Sequence, residues 1–173
     1  MSLPLLARLN QKVAIEKALQ QGANVNEKDL WGHTSLFYSC RYNHMEIVQL
    51  LLQQHEIFVN CSGNDNNYSP FFASNGQTES ILILLADGRV DVNWRNKLGE
   101  TILAGACLRG YTKTVKLLLS SGRSVVVSER LLDIARMGNK HFIVSILKDY
   151  QDNPIQTQRL LRKQLNLKGN IKT

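Results

Sequence analysis

The stretch TSLFYSCRYNHMEIVQLLL, Thr34 to Leu52, sets two serines, a cysteine and a histidine close together. Ser35, Ser39 or Cys40 beside His44 has the residue types of an activated nucleophile, which needs a base within reach of its hydroxyl or thiol. Cysteine with histidine is also the donor chemistry of zinc. Little elsewhere in the chain completes either site. The three cysteines, Cys40, Cys61 and Cys107, stand far apart. They lack the paired spacing of a zinc module, and an odd number argues against a disulfide framework. The four histidines form no HExxH pair, and no GxSxG, GxGxxG or phosphate-loop pattern occurs. Neither enzymatic activity nor a metal or other cofactor is expected.

What recurs instead is position. Val-Asn pairs end at Asn26, Asn60 and Asn93, spaced 34 and then 33 residues. Leucine-rich helix ends, IEKALQQG, IVQLLLQQH, ILILLADG and TVKLLLSSG, close at Gly22, His55, Gly88 and Gly122, spaced 33, 33 and 34. A residue tolerant of positive φ is wanted just past a helix, which accounts for three glycines and leaves His55 as the exception. After each Val-Asn pair the chain turns and restarts as WGHTSL, NNYSPF or LGETIL. Gly32 and Gly99 suit the turns, while Thr34, Ser69 and Thr101 stand where an N-cap belongs. Each period reads as a finger, a short helix and a second, more apolar helix. Such a unit cannot bury its own apolar face, so neighbours must stack.

The pattern resembles the ankyrin repeat family, whose signature has Thr-Pro-Leu-His at the first helix and Val-Asn at the hairpin. The resemblance covers about residues 1–150, as units of about 1–26, 27–60, 61–93, 94–126 and 127–150. It implies an all-α solenoid of stacked helix–turn–helix units joined by hairpin fingers. Thr-Pro-Leu-His survives only in part, as TSLF, SPFF, TILA and ERLL, so the family's Thr–His hydrogen bonding is not carried over. Unit one begins at its first helix, as an N-terminal cap would, and unit five lacks a following hairpin. Unit three has a longer finger and a clipped first helix, and is expected to be the weak point in stability. In this register Cys40 and Cys107 take a small packed position that Ala7 and Ala135 fill in units one and five. Asn43 and His44 take the turn between the two helices, and the Ser/Cys/His cluster becomes scaffold.

The resemblance further implies a non-catalytic module that grips a partner protein through its fingers and concave inner-helix face. The matching positions are Leu30, Trp31, His33, Arg41 and Tyr42 in unit two and Tyr68 in unit three. Unit four supplies Trp94, Arg95, Lys97, Leu98 and Arg109. Aromatic and arginine side chains on one surface suit a protein interface. Each tryptophan sits in a finger, where it either anchors a partner or packs on the neighbouring finger. Asn26, Asn60 and Asn93 resemble hairpin asparagines that are hydroxylated in some ankyrin proteins.

The net charge of +7 is unevenly spread. Residues 1–94 hold six Lys/Arg and nine Asp/Glu, a net −3, whereas residues 95–173 hold fifteen and five, a net +10. An acidic protein surface is the expected partner, with electrostatic binding of nucleic acid or anionic membrane by the basic half as the alternative. Residues 151–173 form a separate tail. Asn153 can cap a helix with Pro154 at its first position, and Gly169 follows a plausible end. Ile155, Leu161 and Leu165 form an apolar stripe with Leu160 beside it, among Arg159, Arg162, Lys163 and Lys168. The tail reads as a cap on the exposed end of unit five or as a basic amphipathic helix for an acidic surface. No apolar run is long enough to span a membrane, and the start MSLPLLARLNQK lacks the form of a secretory signal. An intracellular monomer, cytoplasmic or nuclear, with no small-molecule substrate is expected.

Overall fold

The structure, a computed structural model, describes residues 1–60 and 76–167. Among the described residues ten α-helices follow one another: α1 Leu3–Arg8, α2 Lys12–Gln20, α3 Ser35–Arg41, α4 Met45–Leu52 and α5 Thr78–Ala86, then α6 Ile102–Arg109, α7 Thr112–Ser120, α8 Glu129–Met137, α9 His141–Asp152 and α10 Pro154–Gln164. Within the units α1 packs on α2, α3 on α4, α6 on α7 and α8 on α9. The first helices stack on one another, α1 on α3 and α6 on α8, while α2, α4, α5, α7 and α9 form a second row behind them. Ser69, Tyr68 and Cys61 lie outside the described residues, as does the expected clipping of unit three's first helix.

Local chemistry explains why each unit breaks where it does. The Thr34 hydroxyl accepts the Phe37 N–H at 3.3 Å, and the Thr101 hydroxyl accepts the Ala104 N–H at 3.2 Å, so both N-cap as expected. In unit five Ser128, not Glu129, precedes the helix. Between first and second helix the chain crosses left-handed backbone at Asn10, Asn43, Gly76, Gly110 and Asn139. In unit two the bonds Asn43 N–H to Cys40 O, 3.3 Å, and His44 N–H to Ser39 O, 2.8 Å, close the helix as a Schellman turn. Asparagine or glycine fills that position because both tolerate positive φ.

The turn after the second helix departs from expectation. Gly22 and Gly122 are left-handed, with φ of 83° and 80°, but Gly88 and His55 are not. In unit three α5 stops at Ala86 and Asp87 becomes extended, with its carboxylate accepting the Arg89 N–H at 2.9 Å. A side-chain-built turn thus replaces the left-handed one.

One continuous apolar core runs between the two rows. Ala7, Cys40, Cys107 and Ala135 are fully enclosed where the helices of a unit meet, the packed position expected of them. Ile15, Ile47, Ile81, Val115 and Ile143 face them from the second row. Two polar ladders tie unit to unit. Asn26 Nδ2 donates to Glu56 O at 2.7 Å while its Oδ1 accepts the Phe58 N–H at 2.8 Å. Asn60 does the same to Arg89 O and Asp91 N–H, and Asn93 to Ser124 O and Val126 N–H. Behind them, arginines reach back to the carbonyl end of an earlier unit's second helix. Arg89 donates to Leu52 O and Gln54 O, Arg123 to Leu85 O and Asp87 O, and Arg162 to Ser120 O. A cation suits that end of a helix, where unsatisfied carbonyls and the macrodipole are both negative.

Helix α10 begins as expected: Asn153 Oδ1 accepts the Gln156 N–H at 3.1 Å, with Pro154 at the first position. Its buried stripe is Thr157, Leu161 and Leu165, however, with Ile155 66% exposed and Leu160 also exposed. Positions 155 and 161 are six residues apart, about 240° around a helix of 3.6 residues per turn, so they cannot share a face, whereas 157, 161 and 165 can. The helix lies across α7 and α9, along the second row. The outward face of α8 is polar on its own account, with Glu129, Arg130, Asp133 and Arg136 all exposed.

Candidate protein-binding surface

The finger of unit two is built by one carboxylate. Asp29 Oδ1 accepts the Trp31 N–H at 3.0 Å and the His33 N–H at 2.9 Å, and Oδ2 accepts the Tyr38 hydroxyl at 2.6 Å. Gly32 turns the chain at φ 77°, and Lys28 pairs with Thr34 across the narrow loop. This leaves no room for the side chains of Leu30 and Trp31 inside, so they project, 91% and 61% exposed. Asn96 repeats the device in unit four, accepting the Leu98 and Glu100 N–H groups at 3.0 and 2.8 Å.

Behind Trp31 the first turns of α3 assemble an aromatic row. The His33 ring lies flat on Phe37 with centroids 3.9 Å apart, and Phe37 meets Tyr38 edge-on at 5.3 Å. Tyr38 and Tyr42, one helical turn apart, are parallel at 6.3 Å, and Tyr42 continues to His44 at 5.9 Å. Burial, followed by the hydrogen bond to Asp29, pushes the Tyr38 phenol up to about 12. Two hollows flank Trp31. One is lined by Leu5, Arg8, Lys28, Leu30, Trp31 and Tyr38, the other by Arg8, Trp31, His33, Phe37, Arg41 and Tyr42.

The structure therefore brings Leu30, Trp31, His33, Arg41 and Tyr42 together, as grouped from the sequence. It adds Leu5, Arg8, Phe37 and Tyr38. The i, i+4 spacing of Tyr38 and Tyr42 on α3 is a signal that could have found Tyr38. Leu5 and Arg8 join only because α1 stacks on α3. In unit four Lys97, Leu98 and Arg109 are exposed, and Arg95 donates to Gly99 O at 2.7 Å. Trp94 is half-buried and packs against the core. Its register position matches Glu27, not Trp31, so the two tryptophans are not equivalents.

The residues that first suggested chemistry do not converge on an open site. Ser35, Ser39 and Cys40 are fully buried, and Ser39 Oγ donates to the Ser35 carbonyl of its own helix at 2.7 Å. Burial pushes the Cys107 thiol up to about 12, away from the thiolate that reactivity requires. Among the described residues no three His, Cys, Asp or Glu are grouped as a metal site. Nor is any helix among them long and apolar enough to cross a membrane.

Comparison with known proteins agrees with the stacked units. The family model for ankyrin repeats, in three copies, matches residues 5–88. These repeats belong to the ankyrin family. An ankyrin repeat protein of Rickettsia bellii is 28% identical over 140 residues, 78% of this chain and 42% of its own length. The ankyrin repeat protein L371 of Acanthamoeba polyphaga mimivirus is 30% identical over 135 residues, 75% of this chain and 18% of its own. The E3 ubiquitin-protein ligase XBAT33 of Arabidopsis thaliana is 36% identical over 75 residues, 40% of this chain and 14% of the ligase. The chain thus spans less than half the length of each of these relatives. Ankyrin repeats are in general protein–protein interaction modules, and the described residues form the stacked helical units of that family.

Proposed function

We propose that this ankyrin array is a non-catalytic module that binds a partner protein, with units one and two as the main contact. The observation that carries the reading is Trp31, held out by the Asp29 turn over an aromatic floor. A rigid exposed aromatic between two hollows is the form of an interface hot spot, and Arg8, Arg41 and Tyr42 around it are types enriched in such spots. Trp94, Arg95, Lys97, Leu98 and Arg109 extend the surface into unit four, and the partner surface is expected to be acidic. Tyr68 belonged to the same grouping and lies outside the described residues.

An affinity pull-down with the wild type and with a Trp31→Ala, Arg41→Ala, Tyr42→Ala triple variant tests this. The three side chains are exposed, so helical circular dichroism should be unchanged. Captured partners should bind the variant more than about tenfold more weakly, the loss typical of a hot-spot cluster. A variant that retains full binding would remove units one and two from the interface.

A further inference from the structure

We infer that the hollow between α1 and the unit-two finger takes an extended segment of the partner protein in which an acidic residue adjoins an aliphatic or aromatic one. The apolar side chain would rest on Leu5, Tyr38 and Trp31, and the carboxylate would meet Arg8. The inference rests on the protein-binding reading above and names the chemistry of the partner.

The charge of this corner runs against the charge of its half of the chain. Residues 1–94 are net acidic, yet the carboxylates nearest the hollow are already engaged. Asp29 is filled by two backbone N–H groups and the Tyr38 hydroxyl. Glu27 Oε2 accepts the Leu3 N–H at 2.8 Å, which satisfies an open donor at the start of α1. Arg8 is exposed, lines both hollows and has no ion pair among the described residues. It is the charged group on the boundary shared by two apolar pockets. A guanidinium there offers a planar, two-pronged site to a carboxylate, while Trp31 and Tyr38 offer a face to an apolar neighbour.

The floor also decides against a polyanion backbone. A nucleic acid would need a track of cations at phosphate spacing, and this hollow presents leucine, tyrosine and tryptophan around Arg8 and Lys28, with the Asp29 carboxylate also in its wall. A peptide with alternating apolar and acidic side chains matches both features.

Selection of random peptides of about twelve residues, displayed on phage, on the whole chain tests the assignment. On wild type, enriched peptides should carry Asp or Glu within two residues of Leu, Ile, Met, Phe or Trp. On Arg8→Glu the favoured charge should invert to Lys or Arg, and on Arg8→Gln the charge preference should vanish while the apolar one persists. A labelled peptide from the wild-type pool should bind Arg8→Glu at least about tenfold more weakly by fluorescence anisotropy. Helical circular dichroism checks the fold of each variant. An identical charge preference on wild type and Arg8→Glu overturns the inference. If the peptides depend on Trp31 but show no acidic bias, the inference falls and the protein-binding reading stands. If none is enriched over a Trp31→Ala protein, both fall.

Discussion

At the scale of single residues, the structure separates side chains whose job is local from those whose job depends on neighbours. The caps Thr34 and Thr101 were legible, because a hydroxyl three residues ahead of an open N–H needs no tertiary context. Asp29 was not singled out, yet it fixes the finger that presents Trp31. Its bond with Tyr38 gives a pH-dependent prediction. The folded state holds the Tyr38 proton more tightly than the unfolded chain does, since its phenol is raised from 10.0 to about 12. The contribution to stability is therefore complete below pH 10 and is lost as pH rises towards 12. Tyr38→Phe should cost about 1–2 kcal/mol at neutral pH, as expected for a hydrogen bond to a carboxylate, and should flatten the decline above pH 10. Urea denaturation at pH 8 and pH 11 measures both. Equal declines in the two proteins would show that Tyr38 does not cause the loss.

At the scale of elements, the units are joined by devices that a linear reading only half displays. Asn26, Asn60 and Asn93 stood out by period, but their partners, the backbone of the next finger, are about 30 residues away. Each asparagine amide uses both its donor and its acceptor across that gap, which explains why aspartate, lacking a donor, would not serve equally. Asn26→Ala should cost about 1–2 kcal/mol in urea unfolding, the worth of two partly exposed hydrogen bonds. Asn24→Ala, which loses only an acceptor within its own finger, should cost less. The arginines Arg89, Arg123 and Arg162 belong to the same scale. Part of the basic excess of the C-terminal half is thereby turned inward on helix ends, at Arg123 and Arg162.

At the scale of the whole molecule, stability is shared between neighbours along a row, so damage should stay local. Leu161 is the apolar residue of α10 most enclosed against the second row. Leu161→Ala should cost about 2–4 kcal/mol where α10 meets α7 and α9. Hydrogen exchange should quicken across Pro154–Gln164 and the end of α7, where Arg162 holds Ser120 O, and should leave α3 unchanged. Uniform quickening through all ten helices would mean that the array unfolds as one unit. That α10 lies along α7 and α9 also divides two properties the tail seemed to combine. Thr157, Leu161 and Leu165 are committed to the array, while Arg159, Leu160 and Lys163 face outward.

By itself the sequence determined the repeat, the fold class, the caps Thr34 and Thr101 and the burial of Cys40 and Cys107. All of these follow from short-range periodicity and from the exclusion of apolar surface from water, which act on any chain with this pattern. Only the tertiary structure decided which exposed residues make a surface. Leu5 and Arg8 meet Trp31 because α1 stacks on α3, and Trp94 turns to the core while Trp31 projects, although both sit in fingers. Such neighbours are set by how successive units pack, and no spacing within one unit encodes that.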